Sequence, residues 1–206
     1  MKPRPPHHLA WPPGAALPRA APLLAAVASL LLGACASQRD RFYVLSAMPE
    51  AAHQPRPAIT TQLALGVTLP EEVDRREMVL GAQGDQVVIL EHERWAASLS
   101  DLIAETLGLD IERRRPDLLA VDRPLDRSNA RVRIKVDIVR LSARAPGNVT
   151  LEAHWRIVNP QSKGDEVGAQ TFTAPVESAD YAAVARALSA AVSSLADRLV
   201  AKLPTG

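Results

Sequence analysis

The residue types that most often carry chemistry are scarce in this sequence of 206 residues. Cys35 is the only cysteine, so its thiol cannot form an intramolecular disulfide and is either free or modified. None of the five histidines has another His or Cys at the spacing of zinc ligands, and we expect no metal site. The stretch Glu91-His92-Glu93 comes nearest to a polar site, and we interpret it as charged surface. Nucleophile elbows and phosphate-binding glycine loops are absent from the sequence, which disfavours an enzyme, although dispersed catalytic residues would leave no such motif.

The segment before Cys35 has the organisation of a secretory signal. Basic residues are followed by an apolar run from Ala20 to Ala34 that ends in small side chains. A helix of that length spans only about 22 Å, whereas the hydrocarbon core of a bilayer is about 30 Å thick. A permanent transmembrane helix is therefore disfavoured. Two alternatives follow, a plain signal peptide cut near Ala34 or Ala36 and a lipoprotein signal peptide cut before Cys35.

The order Leu32-Gly33-Ala34-Cys35 favours the second alternative, because it resembles the lipobox that the lipoprotein peptidase recognises. We predict a lipoprotein signal peptide over residues 1–34, with Leu32, Gly33 and Ala34 as the peptidase recognition residues. Cys35 would carry a diacylglyceryl group and an acyl chain on its amino group, which is more than the two chains that stable anchoring needs. No acidic residue follows Cys35 directly, which favours the periplasmic face of the outer membrane.

Length and charge indicate one domain and argue against nucleic acid as a partner. Residues 35–40 are predicted to form a short lipidated tether, and residues 41–206 are long enough for one well-buried domain. Removing residues 1–34 takes away three basic residues and no acidic ones, so 21 basic and 23 acidic residues remain. The mature chain therefore has no positive field, and its few aromatic residues offer no stacking platform for bases.

Alternating apolar residues predict a β-rich domain. Residues 41–45 predict a first strand, and the nearly continuous apolar run 63–69 predicts a strand buried on both faces. Residues 78–90 predict a hairpin. Residues 131–157 hold two runs that alternate without interruption on either side of a turn, and residues 169–176 predict the next strand of an antiparallel meander.

Two amphipathic helices are predicted from apolar residues at spacings of three and four. The first begins at Ser98, which forms a capping-box pattern with Asp101, and is predicted to end at Gly108. The second is capped by Ser178 and ends before Pro204. Its apolar stripe consists of Tyr181, Val184, Leu188, Val192, Leu195, Leu199 and Leu203. The elements together predict an α+β fold: a single domain in which a mixed, mostly antiparallel sheet is covered by the two helices, as an α/β sandwich.

Three local patterns, in order, resemble those of a known family. They are Arg41-Phe42-Tyr43-Val44-Leu45-Ser46 soon after the cysteine, Val67-Thr68-Leu69-Pro70 leading to Val73-Asp74-Arg75-Arg76-Glu77-Met78-Val79, and Glu93-Arg94-Trp95-Ala96 with Leu99 at the start of a helix. This combination resembles the ABC-type transport auxiliary lipoprotein family, the PqiC-like or YmbA-like proteins. The similarity covers nearly the whole mature chain. It departs from the family pattern at Ala97-Ser98, where an acidic residue and a proline often stand.

The resemblance implies a non-enzymatic outer-membrane lipoprotein that works beside an ABC ATPase, a permease and a protein with mammalian-cell-entry domains. Such a system moves phospholipid between two membranes, and the lipoprotein would be its docking subunit, with a homo-oligomeric ring as its assembly. Asp74, Arg75 and Trp95 are candidate partner contacts. A turn salt bridge for the first two residues and a core anchor for Trp95 are the alternatives. Two other functions stay open: a structural or pilot lipoprotein for assembly of another envelope complex, and a tethered periplasmic enzyme with dispersed catalytic residues.

Overall fold

Eight strands and two helices make up the computed structural model, which describes residues 39–50, 57–81, 86–121, 130–162 and 164–203. The strands are β1 (Arg41–Tyr43), β2 (Thr61–Thr68), β3 (Glu77–Gly81), β4 (Val87–Trp95), β5 (Leu118–Val121), β6 (Val132–Ala143), β7 (Gly147–Val158) and β8 (Glu166–Val176). The helices are α1 (Leu99–Arg114) and α2 (Tyr181–Val200).

The strands form two sheets, and the α+β class with a single domain is confirmed. One sheet has three strands in the order β1-β4-β3, and the other has five in the order β5-β2-β6-β7-β8. Strand β2 runs parallel to both of its neighbours, β1 runs parallel to β4, and the remaining pairs are antiparallel. The sequence predicted one sheet rather than two and missed β5, because a four-residue strand is too short to show an alternating pattern.

The core lies between the five-stranded sheet and the two helices, which pack on β2, β5, β7 and β8. The predicted β6–β7 hairpin is confirmed, with Ile134 opposite Ile157 and Val136 opposite Trp155. All four of these side chains are buried, whereas the residues between them along each strand are mostly exposed. The period of two along each strand therefore determines which face of the sheet receives the helices.

Helix α1 is longer than predicted, because it continues through Gly108 to Arg114. A Cβ on Gly108 would lie 3.2 Å from the Cβ of Ala120, so this glycine allows the helix to approach β5 closely. It is a packing residue and not a helix terminator. The predicted cap is confirmed: the Ser98 Oγ accepts a hydrogen bond from the Asp101 backbone N–H at 3.3 Å, and the Ser98 hydroxyl donates to the Asp101 carboxylate.

Helix α2 buries the predicted apolar stripe against the sheet. Its cap is Asp180 rather than the predicted Ser178, because the Asp180 Oδ1 accepts from the Ala182 N–H at 3.2 Å. Ser178 lies two residues before Asp180, where its Oγ accepts from the Asp180 N–H at 3.3 Å. The predicted stripe residues that are buried are Val184, Leu188, Val192, Leu195, Leu199 and Leu203. Pro204 lies outside the described residues.

Candidate functional site

The predicted lipidation motif Leu32-Gly33-Ala34-Cys35 lies outside the described residues. The described chain begins at Arg39, four residues after Cys35, and runs directly into β1. The contacts that hold this end of the chain on the domain therefore form the first candidate site.

Glu93 on β4 is the centre of these contacts and is only 5% exposed. Its Oε1 accepts a hydrogen bond from the Nε of Arg41 at 2.9 Å, and its Oε2 accepts from the Tyr43 hydroxyl at 2.6 Å. A buried carboxylate is stable only when it is paired and hydrogen-bonded, and here both oxygens have a partner from β1. The interpretation of Glu91-His92-Glu93 as charged surface holds for Glu91, which is exposed, and in part for His92, which is half-buried. It is wrong for Glu93, which is directed inwards from β4.

The Tyr43 phenol is kept in its neutral form at this site. Burial raises the pKa of Tyr43, and the hydrogen bond to Glu93 raises it further, to about 12. Deprotonation would place a phenolate directly against the Glu93 carboxylate in a poorly solvated place. The hydrogen bond to Glu93 also raises the pKa of Arg41. At neutral pH the cluster therefore consists of a guanidinium and a phenol that both donate to one carboxylate.

Residues 45–48, which we name the strap, continue from β1 across the two helices. The Ser46 N–H donates to the Ser189 Oγ of α2 at 3.0 Å, and the Met48 N–H donates to the Asp110 Oδ1 of α1 at 2.8 Å. The Met48 carbonyl accepts from the Arg113 guanidinium. Backbone groups of an irregular segment need partners when they leave water, and both helices supply side chains for this purpose.

Asp110, the α1 residue that holds the strap, is completely buried. Its Oδ1 also lies 3.2 Å from the Nη1 of Arg114, one helical turn later. The Arg114 guanidinium continues to α2, where it bonds to Asp197 at 2.5 Å and to the Ser193 Oγ at 2.8 Å. Within the described part of the chain, the Asp110 Oδ2 has no hydrogen-bond partner. The carboxylate thus couples the strap to the pair of helices.

The three predicted partner contacts have structural neighbours within the domain. Asp74 accepts from the Ser100 N–H at 2.9 Å and so caps the first turn of α1. Arg75 forms a turn salt bridge with Glu77 at 3.0 Å, so the alternative of a turn salt bridge holds for Arg75, whereas Asp74 accepts from a backbone N–H instead. Trp95 is 2% exposed and packs edge-on against Tyr43 with ring centroids 6.5 Å apart, as a core anchor does. Contact of these residues with a partner stays a prediction.

A row of charged groups covers the outer face of the three-stranded sheet. Glu77 accepts from Arg94 at 2.5 Å and from Arg75 at 3.0 Å, and the bond from Arg94 is the main cause that lowers the pKa of Glu77 to about 2. The other amino group of Arg94 lies 3.5 Å from Asp40, whose second oxygen is 2.9 Å from the His92 Nδ1. This row ties Asp40, just before β1, to β4.

A groove of about 430 Å³ between α1 and the strands β2 and β5 is the second candidate site. We name it the α1 groove. Its floor is apolar, with Leu65 and Val67 of β2 and Ala120 and Val121 of β5.

The rim of the α1 groove is acidic. Asp101, Glu105 and Glu112 of α1 line it at helical spacings, and no basic residue is among its described lining residues. Glu112 also accepts a hydrogen bond from the Ala120 N–H at 2.8 Å, so it connects α1 to β5 at the groove. Leu109 on the same helix is 40% exposed beside these acids. The groove therefore combines apolar contact area with negative charge.

Neither candidate site has the groups of a hydrolase or a metal centre. The α1 groove includes Ser100 but no histidine among its described residues. His92 pairs with Asp40, and His154 lies 52% exposed on β7 at 4.0 Å from Glu152. Over the described ranges, no cluster of three His, Cys, Asp or Glu residues could hold a metal ion. His53 falls outside those ranges.

Neither α1 nor α2 is long and apolar enough to cross a membrane.

Comparison with known proteins assigns the chain to a family. A family model described as an ABC-type transport auxiliary lipoprotein component matches residues 43–200. The chain belongs to this family. The predicted resemblance is thereby confirmed, and the matched range of the auxiliary lipoprotein covers both candidate sites apart from Asp40 and Arg41.

Solved structures agree with the fold. The auxiliary lipoprotein is similar to a crystal structure titled only as an uncharacterized protein, with 15% identity, a TM-score of 0.66, and coverage of 81% of this chain and 100% of that chain. It is also similar to protein XCC0632 from Xanthomonas campestris, with 18% identity, a TM-score of 0.58, and coverage of 78% and 92%. A search of curated proteins gave no match.

Sequence reasoning missed two residues of the auxiliary lipoprotein that hold its N-terminal end, Glu93 and Asp110. For both residues, the sequence period indicated a buried position. Glu93 shares a strand face with Trp95, which is an apolar position by the period of two. Asp110 stands three residues after Leu107, on the apolar stripe of α1, where a charged residue is buried and needs a partner.

Proposed function

We propose that the protein is a non-enzymatic auxiliary lipoprotein of an ABC-type intermembrane lipid transport system, anchored in the outer membrane and facing the periplasm. The family match over residues 43–200 carries the proposal. In this role the lipid on Cys35 holds the domain at one membrane. The domain then docks a protein with mammalian-cell-entry domains that spans the periplasm, and phospholipid moves along that partner.

The lipid anchor is supported by the lipobox order Leu32-Gly33-Ala34-Cys35 and by the contacts of the segment that follows. Cys35→Ala should abolish labelling with palmitate and release the domain from membranes. Ala36→Asp is the matched variant, because an acidic residue directly after the cysteine should keep the labelled protein in the inner membrane. Wild-type protein that takes up no palmitate would refute the anchor, and unchanged fractionation of Ala36→Asp would refute the outer-membrane assignment.

The attachment of β1 and the strap supports a role in which the domain is held against a membrane. Arg41 and Tyr43 bind Glu93, while Ser46 and Met48 bind the two helices. A pull on the lipidated end therefore acts on the body of the domain through side-chain contacts, and not on a loose segment.

The α1 groove is the docking surface that we assign to the partner. Its apolar floor and the three carboxylates on its rim complement an amphipathic segment of the partner that carries Lys or Arg. Opposite charge would steer the segment to the groove, and burial of its apolar side chains would hold it there.

Substitutions in the α1 groove test this assignment in cross-linked cell envelopes. Ala104→Leu places a larger side chain in the α1 groove, which Ala104 lines, and Glu105→Lys reverses an exposed charge on the rim. Both should reduce copurification of the mammalian-cell-entry protein, and Glu177→Lys, an equal charge change at an exposed residue away from the groove, should not. Equal copurification with all three variants would exclude the groove. Copurification of no such protein with the wild type would exclude the transport role.

Loss of the docking role should also weaken the envelope, so deletion should raise sensitivity to detergents and bile salts. The genes beside this one give an independent check, since the proposal requires an ATPase, a permease and a mammalian-cell-entry protein to act with it. Assembly of several copies into a ring, which the family resemblance implies, stays a prediction that light scattering of the purified lipoprotein would test.

A further inference from the structure

Three consecutive aliphatic residues at the start of β4 lie in solvent. Val87 is 57% exposed, Val88 44% and Ile89 43%. Successive residues of a strand point to opposite faces, so both faces of the β3–β4 hairpin are uncovered at this end. We name these three residues the hairpin tip. Exposed apolar side chains that cluster in this way mark a contact with a partner or a membrane.

The direction of β1 places the lipid anchor at the same end of the sheet. Strand β1 runs parallel to β4, with Arg41 level with Glu93, so the chain enters β1 from the side on which β4 begins. Asp40 continues this alignment, because its carboxylate lies 2.9 Å from the His92 Nδ1. The hairpin tip is at that side, since Ile89 precedes Glu93 by four residues, about 13 Å of strand.

The chain between the anchor and the described residues is short. Cys35 precedes Arg39 by four residues, so even a fully extended chain separates their Cα atoms by at most about 14 Å. The lipid surface that holds Cys35 therefore lies within that distance of the end of the sheet that carries the hairpin tip. Exposed Arg39 lies at the same end, where its charge would meet lipid phosphates.

We propose that the hairpin tip inserts into the headgroup region of the bilayer that carries the lipid anchor, as a second point of membrane contact. This inference rests on the anchor of the proposed function. Transfer of valine and isoleucine side chains out of water is favourable in free energy. The apolar groups of peripheral proteins bind at the boundary between lipid headgroups and acyl chains. Two contacts fix the orientation of the domain, whereas a single flexible anchor leaves it free to rotate.

The full lipidated protein offers a direct test, because lipidation consumes the only native thiol. Val88→Cys then provides a single site for an environment-sensitive fluorophore, and mass spectrometry first confirms the lipid on Cys35. The labelled protein is reconstituted in vesicles of phosphatidylethanolamine and phosphatidylglycerol that contain doxyl-labelled phosphatidylcholine as quencher. Val87→Cys provides a second probe of the tip in case the first variant folds poorly.

Val167→Cys is the matched control, since Val167 is 59% exposed at the opposite end of the domain. It is level with Arg156 in β7, nine residues or about 30 Å from Gly147. The hairpin tip lies at the end of the five-stranded sheet where Gly147 begins β7. Val87 of the tip is opposite Gly81 of β3, and a Cβ on Gly81 would lie 3.7 Å from the carbonyl oxygen of Ala143, the last residue of β6.

We expect emission from the tip probes to shift to the blue in vesicles, with quenching about threefold or more stronger than at Val167→Cys. Equal quenching at both ends, in protein with a confirmed lipid, would overturn the inference and leave the proposed function intact. A blue shift without lipid quenching that grows with protein density would also overturn it, because the tip would then contact a second copy. Absence of the lipid would overturn the anchor itself and, with it, this inference.

Discussion

Removing the Asp110 carboxylate should open the strap before the rest of the domain unfolds. Asp110→Ala deletes the acceptor of the Met48 N–H and one of the anionic partners of Arg114, in a place with no exposure to water. Breaking a buried ion pair by removing one partner typically costs about 3–5 kcal/mol. Arg114 keeps Asp197 and Ser193, so we expect a smaller loss of about 2–3 kcal/mol in the free energy of unfolding.

Asp110→Asn separates the hydrogen bond from the charge. An asparagine oxygen can still accept from the Met48 N–H, whereas the attraction to Arg114 is lost, and we expect a destabilisation of about 1 kcal/mol. Pairing each variant with Arg114→Met in a double-mutant cycle would isolate the coupling between the two side chains.

Urea unfolding followed by circular dichroism would give the global free energies for these variants. Hydrogen exchange read by mass spectrometry would report on peptides that cover residues 45–50, and we expect faster exchange there in Asp110→Ala than in the wild type. The reasoning would be refuted if Asp110→Ala stayed within about 0.5 kcal/mol of the wild type with unchanged exchange in the strap.

Three further predictions concern single side chains. Gly168→Ala would place a Cβ 2.4 Å from the Cζ2 of the buried Trp155, so urea unfolding should show a loss of about 1–3 kcal/mol in the free energy of unfolding. Gly164→Ala is the control and should be neutral, because a Cβ on Gly164 would have no atom within 4 Å. Equal effects of the two substitutions would mean that the Trp155 indole shifts without cost. Because the pKa of Tyr43 in the folded state is raised to about 12 from 10.0, the contribution of Tyr43 to stability is complete below pH 10 and is lost as the pH rises towards 12. Phenolate absorbance should therefore show a component that titrates late, and Tyr43→Phe should remove it. Persistence of this component in Tyr43→Phe would contradict the assignment. Because the pKa of Glu77 in the folded state is lowered to about 2 from 4.5, the contribution of Glu77 to stability is complete above pH 4.5 and is lost as the pH falls towards 2. Glu77→Gln should therefore make the free energy of unfolding less dependent on pH below pH 4.5. An unchanged dependence on pH would refute the pairing of Glu77 with Arg94.

Local patterns predicted the elements in which one face is buried. The alternation in β6 and β7 and the apolar stripe of α2 each reflect a solvent boundary that runs along the element, so the sequence period reports it directly. The α1 cap at Ser98 was predictable for a similar reason, because its two partners, Ser98 and Asp101, are close in sequence.

Contacts between distant segments were not predictable from such patterns. Strand β1 pairs with β4 although Arg41 and Glu93 are 52 residues apart, and this pairing creates the second sheet. Asp110 was not predictable as a buried helix residue, because a glycine at position 108 predicts that the helix ends before it, whereas the helix continues to Arg114. Glycine marks a helix end only when the backbone turns there, and at Gly108 the missing side chain serves the close packing on Ala120.

The way in which the domain holds its N-terminal end suggests why carboxylates stand at Glu93 and Asp110. Strand β1 is only three residues long, so backbone bonds alone would hold it weakly. Glu93 and Asp110 strengthen the attachment, yet each places a carboxylate at a buried position. Burying charge is costly, and apolar residues of similar volume often stabilise such sites equally well or better. Carboxylates at both positions are therefore better explained by the need to fix the segment that leads to Cys35 than by stability of the core.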